Sequence, residues 1–126
     1  MTATAYIVFA HGSSVESANE AVRAVAEEAA RRGEWDAFAT AFLGGGRPSL
    51  QEAVDQLATR GVAHVVVIPY FLTLGLHLER DLPALIDELK QSHPNLEIEV
   101  TPPLDGHPGL LDAVLDRAKE SACKPG

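Results

Sequence analysis

Apolar residues recur along the chain in two rhythms that alternate from one end to the other. Short unbroken runs read as buried strands, and stretches with apolar positions three and four residues apart read as helices. Residues 5–10, "AYIVFA", predict a first strand. Val15, Ala18, Val22, Val25, Ala26 and Ala29 then fall at helical spacing, with Ser13 or Ser14 as the expected cap and Gly33 as the expected stop. A second strand is expected over 35–43, and "GGGRP" at 44–48 breaks the chain after it. Ser49 followed by Glu52 has the spacing of a capping box before Leu50, Ala53, Val54, Leu57 and Ala58, and Gly61 closes that helix.

The run 63–71, "AHVVVIPYF", is the most apolar in the sequence and predicts a central strand covered on both faces, with Pro69 near its carboxyl edge. "LTLGLHLERD" reads as a loop entering a helix from about Asp81 to Gln91, with Asp81–Pro83 at its start and Leu82, Leu85, Ile86 and Leu89 facing inward. Residues 96–101 alternate as a fourth strand, and Leu110, Leu111, Val114 and Leu115 mark a last helix. Strands and helices in strict alternation imply one parallel sheet with helices on both faces. Such sheets bind ligands outside the carboxyl ends of their strands.

That rule sorts the polar residues. His11, Gly12, Ser13 and Ser14 follow the first strand, Gly44 to Arg47 the second, Thr73, Gly75, His77, Glu79 and Arg80 the third, and Asp105 and His107 the fourth. Three of the five histidines therefore share the carboxyl rim, while His64 and His93 belong to the opposite one. Imidazole is a ligand for cobalt, nickel, iron or zinc, and it also exchanges protons near neutral pH. Phosphate chemistry is the rival reading, because "HGSS" lies at a helix N-terminus. The sequence has no phosphate-binding loop ending in Gly-Lys-Ser/Thr, and Ala10 stands where a histidine phosphatase would carry arginine.

Composition narrows the classes. A chain of 126 residues can bury a core unaided, and its one cysteine, Cys123, excludes an internal disulfide framework. The net charge of −8 argues against non-specific nucleic-acid binding. The start "MTATAYIVFAHG" lacks the marks of a signal peptide and no apolar stretch is long enough to span a membrane, so a cytoplasmic protein without a membrane partner is expected.

Four segments, "FAHGSS…ANE", "AFL…PSL", "VVVIPYFLTLGLHLERDLP" and "PPLDGHPGL", together resemble the sirohydrochlorin cobaltochelatases, and more closely their small CbiX-type form. The resemblance runs nearly the whole chain in the right order. It implies a single-domain, flavodoxin-like (chelatase-like) α/β fold over residues 1–126, with 121–126 as a flexible tail. It also implies ATP-independent insertion of a divalent metal, Co²⁺ first and Fe²⁺ or Ni²⁺ as alternatives, into sirohydrochlorin. The metal is then a substrate, no organic cofactor is needed, and two copies of the chain are expected to enclose the macrocycle as a homodimer.

The family's two metal-site histidines correspond to His11 and His77, so these are the expected catalytic and metal-binding residues. Ser13, Ser14, Arg47, Phe71, Leu76 and Arg80 are the expected substrate-binding residues, the arginines being the cations nearest the rim. Many family members carry glutamate directly after "AFL", where this chain has Gly44. That departure keeps a second reading open, a metal- or tetrapyrrole-binding carrier or sensor without turnover. A module working only through protein contacts is the third.

Overall fold

The computed structural model describes residues 3–122, with nothing described of the His77 side chain. The element order is β1 (Thr4–Ala10), α1 (Glu16–Gly33), β2 (Ala37–Phe42), α2 (Leu50–Thr59), β3 (His64–Pro69), α3 (Gly75–Ser92), β4 (Glu97–Val100) and α4 (Pro108–Ala122). The four strands form one sheet in the order β2-β1-β3-β4, and all three pairings are parallel. β1 and β3 are the inner strands, as the continuous apolarity of "VVVIP" requires.

Alternation along the strands separates two faces. Ile7, Phe9, Val65, Val67 and Ile98 turn toward one face, where they form a single core with Val54 and Leu57 of α2 and Leu82, Ile86 and Leu89 of α3. Fully burying an aliphatic or aromatic side chain of this kind stabilises the fold by roughly 1.5–3 kcal/mol. Val8, Ala10, Val66 and Phe42 turn the other way and are also buried, on the side where α1 contributes Ala26 and Ala30.

Helix boundaries differ from expectation in three places. At α1 the N-cap is Val15, with no side-chain cap bond; the Ser13 hydroxyl instead accepts from the Val15 N–H at 3.0 Å. Gly33 is the last helical residue, not the stop beyond it, and Glu34 takes the left-handed conformation at φ 55°. α3 begins at Gly75, well before Asp81, so Asp81 caps nothing and Pro83 lies inside the helix. The physical reason is Leu78, which is buried and extends the inward stripe Leu82, Ile86, Leu89 by one turn toward the N-terminus. Core contact there outweighs the breaking tendency of Gly75 and Pro83.

The capping box of α2 forms as the sequence predicts. Ser49 Oγ accepts from the Glu52 N–H at 3.2 Å, and Glu52 Oε1 accepts from the Ser49 N–H at 2.9 Å. α4 behaves differently. Leu111, Val114 and Leu115 are more than half exposed, so its apolar stripe is left open to solvent. Ser121 and Ala122 of the expected tail are helical, and residues 123–126 lie outside the described residues.

Candidate functional site

The strand order fixes where a ligand can enter. From β1 the chain crosses to β2 on one side, and from β3 it crosses to β4 on the other, so the two connections part between the carboxyl ends of β1 and β3. A crevice of this kind is the usual ligand position in open parallel sheets. His11 is the first residue after β1, and His77 stands in the first turn of α3, reached directly from β3. The backbone thus brings both expected histidines to the same switch point.

His11 is exposed, and its ring lies 6.2 Å from the Phe71 ring in an edge-to-face arrangement. Phe71 is itself buried and packs edge-on against Phe9, with ring centroids 5.8 Å apart. A core aromatic therefore backs the exposed His11 ring. Among the described residues no side chain hydrogen-bonds the His11 ring, and no group of three metal-ligating side chains assembles.

Beside His11 the loops after β1 and β2 interlock through backbone. The Leu43 N–H donates to the Ala10 carbonyl at 2.9 Å and the Gly44 N–H to the His11 carbonyl at 3.0 Å. Gly12 has φ +88°, and a Cβ there would collide with the Gly44 carbonyl oxygen. Gly45, at φ +71°, would bring a Cβ to 2.9 Å from the Ser13 carbonyl carbon. These two glycines permit an approach that any side chain would prevent. Gly44 is different: a Cβ there meets nothing within 4 Å. Position 44, where the resemblance leads to an expected glutamate, is sterically open here.

Asn19 of α1, which the apolar pattern did not single out, is 1 % exposed and hydrogen-bonds both loops. One turn on, Arg23 donates to the Arg47 carbonyl at 3.2 Å and lies 5.3 Å over the Phe42 ring. Arg23 and the Asn19 amide also hold the Glu16 carboxyl below the ordinary glutamate range, and the Glu16 contact raises the Arg23 guanidinium in turn.

The remaining expected residues divide by exposure. Ser13 is half-buried and bonded to Asn19 through its backbone, while Ser14 is exposed. Arg47 and Arg80 are exposed; Arg47 is 3.7 Å from Glu52 and Arg80 is 3.4 Å from Asp81. Leu76 is 83 % exposed, and Leu72 and Leu43 near it are exposed too. Large apolar side chains are thus presented to solvent around the same rim that carries His11. Phe71 belongs to the core that supports this surface. His107 fixes the turn into α4, its Nδ1 accepting from the Gly109 N–H at 2.8 Å.

Clefts open at both ends of the sheet; those lined by residues 33–36 and by residues 92–96 lie at the amino rim, and three others lie on the side of the carboxyl rim. Clefts of about 190 and 340 Å³ run between Leu43 and α3, and one of about 480 Å³ flanks α3 between Leu74 and Val100. No helix among the described residues is long and apolar enough to cross a membrane.

A four-stranded parallel sheet in this order, with an exposed histidine and exposed leucines along its carboxyl rim, defines a small α/β protein of the open parallel-sheet class. Residues 5–121 match the CbiX family, and the chain belongs to it. A sirohydrochlorin cobaltochelatase of Methanopyrus kandleri is 29 % identical over 137 residues, an alignment covering 93 % of this chain and 96 % of the relative. The structure of a cobalamin (vitamin B12) biosynthesis CbiX protein from Marinobacter aquaeolei VT8 superposes with a TM-score of 0.83 and 32 % identity, covering 94 % of this chain and 97 % of that one. The sirohydrochlorin chelatase SirB of Bacillus subtilis subspecies spizizenii, solved in complex with cobalt, shares the fold at TM-score 0.86 and 23 % identity; this chain covers 51 % of it.

Proposed function

We propose that this protein is a sirohydrochlorin chelatase that inserts a divalent metal, Co²⁺ in first place, without ATP. The observation that carries the reading is His11, whose ring no side chain among the described residues hydrogen-bonds, held at the β1/β3 switch point. Metal insertion replaces two pyrrole N–H protons, which leave as the four ring nitrogens bind the metal, and the metal sheds water on the way. Two imidazoles at one crevice suit this chemistry, one binding the metal and the other accepting a proton. His11 and His77 are assigned these roles. The exposed Leu72 and Leu76 offer apolar contact to the macrocycle, and Arg47, Arg80 and the Ser13–Ser14 turn face its carboxylates. Phe71 contributes by backing His11.

The residues 1–126 are read as one chelatase-like unit, and two units are proposed to close around one tetrapyrrole. Relatives bearing the cobaltochelatase name include chains of about this length and chains more than twice as long, such as that of Priestia megaterium, of which this chain covers 38 %. The exposed rim and the open stripe of α4 are consistent with a second copy. Sedimentation at twice the monomer mass is the expected result.

An anaerobic absorbance time course of sirohydrochlorin with Co²⁺, run with and without the protein, tests the activity. Acceleration is expected. Co²⁺ binding with insertion at the protein-free rate would favour the carrier or sensor reading that Gly44 keeps open. Fe²⁺ and Ni²⁺ run in parallel decide the metal.

A further inference from the structure

Asn19 uses every polar atom of its side chain. Its Oδ1 accepts from the Ser13 N–H at 3.0 Å, and its Nδ2 donates to the carbonyls of Ser13 at 2.9 Å and Gly45 at 3.2 Å and to Glu16 Oε2 at 3.4 Å. Ser13 belongs to the loop after β1 and Gly45 to the loop after β2, so one buried amide joins the two. We propose that Asn19 is a positioning residue: from α1 it clamps these loops together and thereby fixes the backbone that carries His11.

The chemistry of the partners selects an amide. The site presents one donor and two carbonyl acceptors to a single side-chain end, and only a group with both an oxygen and an NH₂ satisfies all three. Aspartate in its charged form would accept from Ser13 but turn a second oxygen toward two carbonyls. Alanine would leave those groups unpaired in a water-poor position. The surroundings are built to the same end. A Cβ on Gly46 would come within 2.9 Å of Asn19 Nδ2, so glycine there lets the amide reach its partners. The loop it clamps also donates the Gly44 N–H to the His11 carbonyl at 3.0 Å, which links Asn19 to the histidine through a single peptide ladder.

The consequence for catalysis rests on the chelatase reading, whereas the clamp itself does not, so the experiment has two arms. Amide hydrogen exchange is followed by NMR in the wild type, Asn19→Ala and Asn19→Asp. The Gly44 amide is expected to exchange at least tenfold faster in both variants and the Ser13 amide in Asn19→Ala, with β3 amides unchanged within twofold. Co²⁺ insertion is then measured at a temperature where circular dichroism shows each variant folded. A kcat loss of tenfold or more with KM within twofold is expected, while Val54→Ala, a cavity in the core that bonds neither loop, keeps kcat within twofold. Asn19→Asp keeps the volume of the side chain and serves if Asn19→Ala does not fold. Wild-type exchange rates at Ser13 and Gly44, or unchanged kcat in a variant with loosened loops, would overturn the proposal. An inactive wild type would overturn the chelatase reading instead, and the exchange arm alone would then decide the clamp.

Discussion

His11 on the carboxyl rim and the two histidines of the amino rim use the same side chain in opposite ways. On the amino rim, His64 Nε2 lies 2.7 Å from Glu99 Oε2 and His93 Nε2 lies 2.7 Å from Asp55 Oδ1. Each of these imidazoles is occupied: His64 joins β3 to β4, and His93 ties the end of α3 to α2. On the carboxyl rim, His11 has an aromatic ring behind it, and among the described residues no carboxylate pairs with it. A histidine whose nitrogens are engaged by the protein has little left for a ligand, and one whose nitrogens are free has both. Position at a strand end does not by itself make a histidine functional; what the protein does with its nitrogens decides.

The sharpest way to break this comparison is to remove one histidine from each rim. His11→Ala is expected to lower the Co²⁺ insertion rate at least 100-fold with the melting temperature little changed. His64→Ala is expected to leave insertion within twofold and to cost about 1 kcal/mol or less in denaturant unfolding, since its ion pair is partly exposed. Equal losses of activity would erase the distinction.

A smaller effect separates two glycines of the carboxyl rim. Gly12→Ala places a side chain at φ +88° against the Gly44 carbonyl and is expected to destabilise by about 2 kcal/mol or more. Gly44→Ala, with open space around its Cβ, is expected to stay within about 0.5 kcal/mol of the wild type. Urea midpoints measured side by side decide. Gly44→Glu is expected to fold equally well, which makes it a clean way to ask what a carboxylate adds to the insertion rate.

The smallest expected effect concerns pH. The Ser49 N–H holds the Glu52 carboxyl below the ordinary glutamate range, with Arg47 adding to the effect. A group whose folded pKa is depressed stabilises the fold above its unfolded value, about 4.3, and loses that contribution as pH falls through the folded value. Wild type should therefore lose stability relative to Glu52→Gln as pH is lowered from about 5 into the acid range. Parallel acid titrations of the two proteins would contradict the assignment.

Much of this was legible in the sequence where local signals and tertiary packing agree. The strands, the capping box at Ser49 and Glu52 and the inner position of β3 all follow from short-range pattern. The start of α3 did not, because Gly75 and Pro83 read as breakers while the burial of Leu78 is a tertiary fact. Asn19 was hidden for a similar reason: it occupies a core position with a polar side chain, and its partners at Ser13 and Gly45 meet only in the fold. Of the residues around α1 that fall at helical spacing, Ala26 is buried while Val15 and Val25 are exposed. Topology placed His11 on the ligand rim, but the interlocking of Gly12 with Gly44 and Gly45 depends on residues more than thirty positions apart. The exposure of α4 could not be read from its leucines, which carry the same spacing as those of a buried helix.

The central claim is that the carboxyl rim holds the metal, and ¹⁵N-histidine NMR during an anaerobic Co²⁺ titration tests it most directly. The account predicts that the ring signals of His11 and His77 broaden and shift first, while those of His64 and His93 stay sharp. Perturbation of His64 or His93 ahead of His11, or an unaffected His11 at saturating Co²⁺, would contradict it.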